Sequence, residues 1–200
     1  MPDLPQLRRP CCARALLARA AELYDRPDLP LQTSAIGAAR GGFASGAAWM
    51  GRALAVLREQ ACTEEEPSAT ARRYFHWLGT IKYGLAAGAA LACLVIIVGL
   101  SLAWLAPFAV LVFYGVEAQF VFLFPVALDG SRRPFRDARL WTRRAGGTLA
   151  VMRTVLPVAC VMLGGGFMGR GFVRSWCLGC LAVCLWYEDL RTCPTPLPSN

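Results

Sequence analysis

Apolar positions along this chain collect into two long intervals instead of alternating with polar ones. The first runs from Tyr83 to Leu128 with one charge, Glu117. It opens with YGLAAGAALACLVIIVGLSLAWL, residues 83–105, which carries no charge at all. A bilayer core needs about 20 such residues as helix. At ~1.5 Å per residue the whole interval reaches ~69 Å, enough for two crossings of a ~30 Å core. The pattern therefore predicts a helical hairpin turning near 104–107. Pro107 opens its second helix, where a missing N–H costs least. The second interval, 148–187, is interrupted by Arg153, Arg170 and Arg174. It predicts two further helices, 147–165 and 171–187, joined through GGGFMGRG. The last is short for a span and is expected to tilt, re-enter or be buried by its neighbours.

Ahead of these intervals the chain reads differently. Residues 13–24 have helix-forming composition and stop before Pro27. Residues 25–32, with Pro27 and Pro30, predict a linker. Residues 34–60 predict a second helix, capped at Ser34, with Trp49, Met50, Leu54 and Leu57 on one face and Arg52 and Glu59 turned away. That face suits a membrane surface or a partner. Its glycines weaken it, at ~1 kcal/mol each against Ala. The expected fold is an all-α integral membrane protein of about four transmembrane helices in two hairpins. Its parts are a helical cytoplasmic or membrane-surface region, 1–70, a helical transmembrane domain, 71–191, and a disordered tail, 192–200. No signal peptide is legible, since the first long apolar run begins near 83.

Composition agrees. Hydrophobic residues make up 56% and charged residues 17%, against ~25% charged in soluble domains. The mean hydropathy is +0.43. The net charge of +8 is carried by 20 Arg and one Lys, Lys82. That skew, with abundant Ala and Gly, suggests GC-rich coding and so a bacterial inner membrane. Arg132, Arg133, Arg136, Arg139, Arg143 and Arg144 crowd into 129–147. They point to anionic lipid headgroups, and nucleic-acid motifs are missing. With four spans these arginines share a side with Arg72, Arg73, Lys82 and Arg191. Only Arg170 and Arg174 fall on the other. The positive-inside rule then places both termini in the cytoplasm of a multi-pass protein.

Three features could carry chemistry. Glu117 lies near the middle of the second span, where an ionisable group costs ~3 kcal/mol or more and needs a partner. Arg153, Arg170, Arg174 and Gln119 are the candidates for that partner. Cys177, Cys180 and Cys184 share one helical face. The CxxC pair could exchange thiols, while the small residues around it, Gly179 and Ala182, suit a close-packed helix interface. His76 is expected on the opposite membrane side, which leaves the thiols without a zinc partner. GGGFMG at 164–169 matches G-x-G-x-x-G but lacks the βαβ unit that gives the pattern meaning. No metal or cofactor is expected, and no catalytic constellation stands out. The expected role is a non-enzymatic accessory or scaffold subunit of a membrane complex, or a homo-oligomer. One alternative is a small transporter using Glu117 and intramembrane arginines. Another is a membrane thiol oxidoreductase using Cys177 and Cys180.

Overall fold

The computed structural model describes residues 12–29, 31–32, 34–60, 68–167, 169 and 171–193. It is all-helical, with no strand among the described residues. Three stretches are long and apolar enough to cross a membrane: Ala69–Gly99, Ala103–Leu128 and Gly147–Gly165.

The first helix, α1 (Ala13–Tyr24), buries Leu16, Ala20 and Tyr24 at four-residue spacing. Arg14, Arg19 and Glu22 stay exposed on the other face. The predicted helix over 34–60 is two helices, α2 (Ala35–Arg40) and α3 (Gly42–Leu57). The break falls at Gly42, whose φ of +69° is left-handed backbone that favours glycine. The face carrying Trp49, Met50 and Leu54 meets neither membrane surface nor partner. It is buried in the chain's own core, with the Trp49 indole N–H donating to the carbonyl of Leu31 at 3.0 Å.

Helix α4 (Ala69–Gly99) starts 14 residues before the predicted apolar run, because Ser68 caps it by accepting from the Ala71 N–H at 3.2 Å. A short 3-10 turn, Ala103–Leu105, leads into α5 (Pro107–Gln119), with Pro107 in its first turn as expected. The predicted second span is not one helix. It breaks at 120–122 and resumes as α6 (Leu123–Leu128). The Thr142 hydroxyl donates to the carbonyls of Ala118 and Gln119, at 3.1 and 3.2 Å. It thereby satisfies acceptors that the end of α5 leaves unpaired.

The arginine-rich stretch contains a helix the hydropathy pattern did not announce, α7 (Pro134–Arg144). Asp137 in its first turn and Arg143 and Arg144 in its last complement the helix dipole. Two helices close the fold, α8 (Gly147–Phe167) and α9 (Phe172–Thr192). They run antiparallel in close contact. A side chain at Gly179 would strike Met162, and one at Gly165 would strike Ser175.

Helix α9 is not among the three long apolar stretches. Arg174, Glu188, Asp189 and Arg191 occupy its ends, and Leu178 through Tyr187 are almost all buried. It is the axis of the molecule, packed by α1, α2, α3 and α8. Arg19 pairs with Asp189 at 2.7 Å at one end, and Asp25 pairs with Arg174 at 2.5 Å at the other. Helix α1 therefore lies antiparallel along α9, and α3 returns beside it.

Candidate functional site

The most distinctive chemistry sits where α3, α4, α5, α8 and α9 converge. These helices enclose a cavity of about 360 Å³, walled mainly by apolar side chains such as Val158, Met162 and Val183. Two charges border it. Glu117, near the end of α5, faces Lys82 of α4 with carboxylate and ammonium 3.5 Å apart. Lys82 is only 4% exposed. Its ammonium lies 4.9 Å from the Tyr83 ring centre and 5.9 Å from that of Phe124. A lysine buried this far needs a counter-charge, and the aromatic faces add weaker attraction.

Glu117 thus has a partner, but not one of the residues expected for it. Arg174 pairs with Asp25. Gln119 accepts from Arg139 at 3.0 Å. Arg153 is on the exposed face of α8, and Arg170 lies outside the described residues. Lys82 went unrecognised because it stands one residue before the uncharged run. By position it read as a flanking charge. Its being the chain's sole lysine was the available signal.

His76 lies nearer the thiols than its sequence position suggested. It borders the same cavity as Cys180. Cys177 and Cys184 are fully buried, and Cys180 is half-buried on the cavity wall. Thiol exchange requires a partner thiolate to reach the sulfur, and buried Cys177 offers no such approach. Among the described residues no group of three or more His, Cys, Asp or Glu is placed to hold a metal ion.

A second constellation escaped the sequence reading. Arg58, just past α3, donates to Asp129 at 2.7 Å and to Glu188 at 2.9 Å. The Tyr187 hydroxyl donates to Asp129 at 2.8 Å. Arg191 lies 3.7 Å from Glu188. All three members of the Arg58 bridge are at most a quarter exposed. Burial pushes the Asp129 carboxyl up. The hydrogen bonds from Arg58 and Tyr187, with the Arg58 charge, outweigh that and hold it below the ordinary carboxylate value. The bridge ties the ends of α3, α6 and α9 together.

The six arginines of 129–147 are all exposed. Four lie on α7, whose buried face is Ala138 and Thr142. Comparisons of the chain with protein-family models, curated proteins and solved structures found no match.

Proposed function

We propose that this chain is a multi-pass protein of the cell membrane, acting without catalysis as an accessory or scaffold subunit. The carrying observation is the uncovered apolar surface of the α4–α5 hairpin. Leu91, Val95, Ile96 and Leu100 are each more than 60% exposed, and Trp104 at the turn is 74% exposed. An apolar surface that continuous is a liability in water and a natural contact for lipid or partner helices. On this reading α4, residues 103–128 and α8 cross the bilayer, and α9, covered by the other helices, returns the chain to the side where it began. The arginine stretch lies on the cytoplasmic side with both termini and meets anionic lipid. The arginine-for-lysine skew favours a bacterial inner membrane. Single-cysteine labelling in a cysteine-free background tests the arrangement. A cysteine at 103 is expected to react with a membrane-impermeant maleimide in intact cells, and one at 135 only after permeabilisation. Labelling of 135 in intact cells would defeat the proposal.

A second reading, a transporter subunit, is favoured by one observation, the charge pair beside the cavity. Its arginine component is weakened, since Arg174 pairs with Asp25 and Arg153 is exposed. The thiol oxidoreductase reading is weakened by the burial of Cys177.

A further inference from the structure

The cavity has the makings of a ligand site. Its volume of about 360 Å³ falls within the ~300–1,000 Å³ range of small-molecule pockets. Its walls from α8 and α9 are mainly apolar, with Val155, Val158, Ala159, Met162 and Val183 outnumbering the polar atoms of Thr154 and Cys180, which suits a chain better than a sugar or nucleotide. Its charged groups are Lys82 and Glu117. The geometry of that pair is informative. At 3.5 Å it is longer than the ~2.7–2.9 Å of a close ammonium–carboxylate contact. An ammonium has three donors, and Glu117 engages this one at long range while the rings of Tyr83 and Phe124 occupy other directions. A buried donor facing an apolar cavity gains from an acceptor delivered into that cavity. The sign of charge narrows the choice. The pair is neutral as it stands, so an anionic head would set a second negative charge against Glu117. A neutral carbonyl or hydroxyl oxygen meets the ammonium without that penalty. His76 and Gly42, both exposed, border the cavity and mark its open rim.

We infer that this cavity binds one acyl chain of a neutral lipid, its hydrocarbon along the α8 and α9 walls and its carbonyl or hydroxyl oxygen on the Lys82 ammonium. The inference holds whether the protein is a scaffold or a transporter, so it does not fall with the proposed function. Such a chain could come from a free monoacyl compound or from the acyl ester of a bilayer lipid.

The test is photo-crosslinking of the full chain in nanodiscs. Two probes are used, a monoacylglycerol and a phosphatidylcholine, each with a diazirine at mid-chain. Saturable labelling of peptides spanning 154–162 and 176–186, competed by unlabelled monoacylglycerol, is the expected result. Labelling by the first probe alone identifies a free monoacyl ligand, and labelling by both identifies a bilayer acyl chain. Ala159→Phe projects a ring into the cavity from α8 and is expected to abolish saturable labelling. Lys82→Met, made together with Glu117→Leu so that no lone charge is buried, removes the donor while keeping the stem, and is expected to weaken labelling about tenfold. Where Ala159→Phe fails to give a monodisperse protein, competition and the double variant decide. Labelling that does not saturate, that is confined to α4 and α5, or that is unchanged in the double variant would overturn the inference.

Discussion

Glu117 and Lys82 are best understood as one unit. Either charge alone in an apolar interior is costly, and breaking such a pair costs about 3–5 kcal/mol. Glu117→Leu is therefore expected to reduce folded yield sharply. Glu117→Gln keeps a carbonyl acceptor for Lys82 and is expected to leave the protein monodisperse. The double change Glu117→Leu with Lys82→Met is expected to recover much of the loss, because an apolar pair leaves nothing unpaired. Size-exclusion profiles of the variants check all three. A Gln variant that folds and inserts but has the phenotype of a deletion strain would favour the transporter reading. Asp129 answers to pH instead. Its carboxyl is held below the ordinary value when folded, so the stabilisation is present above the unfolded value, near pH ~4. It is lost as pH falls through the folded value. Thermal stability in detergent is expected to drop on acidification below that point. The drop should shrink in Asp129→Asn, which should also be less stable at neutral pH.

Among the elements, α7 gives the clearest division of labour. Its buried Ala138 and Thr142 dock it against the bundle, while its arginines face outward. Each arginine near an anionic surface is worth ~1 kcal/mol. Replacing Arg132, Arg133, Arg136 and Arg139 with Gln is expected to lower co-purified anionic lipid, measured by mass spectrometry, with little effect on folding. Unchanged lipid would mean the charge serves a protein partner. This element also shows where the sequence was readable. Hydropathy announced α4, α5 and α8, because a run without charges leaves few alternatives to an apolar helix. It missed α7, whose exposed arginines outnumber its two buried positions. It missed the break at 120–122, whose freed carbonyls are met by Thr142, more than 20 residues downstream, although Pro125, which cannot donate to residue 121, was a local signal of it. The pairing of Glu117 with Lys82 was equally illegible, since only the packing of α5 on α4 brings them together.

At the scale of the whole molecule, the N-terminal helices belong to the same core as the helices that follow. Leu16, Trp49 and Leu181 are buried in one cluster. Expressing residues 61–200 without residues 1–60 would bare one flank of α9 and leave Asp129 and Glu188 without Arg58. That fragment is expected to be degraded or to aggregate, and co-expression of residues 1–60 is expected to raise its level; immunoblotting of membranes checks this. Equal accumulation of the fragment alone would mean that the N-terminal helices are dispensable to the core. The Arg58 bridge has a further consequence, for the timing of synthesis. Arg58 and Glu188 are separated by 130 positions. At roughly 5–20 residues per second of translation, α3 leaves the ribosome about 6 to 26 seconds before its partner on α9 exists. During that wait Trp49, Met50 and Leu54 have no α9 to cover them. Helices α1 and α3 are therefore expected to need shelter, from lipid or a chaperone, until α9 arrives to cover them.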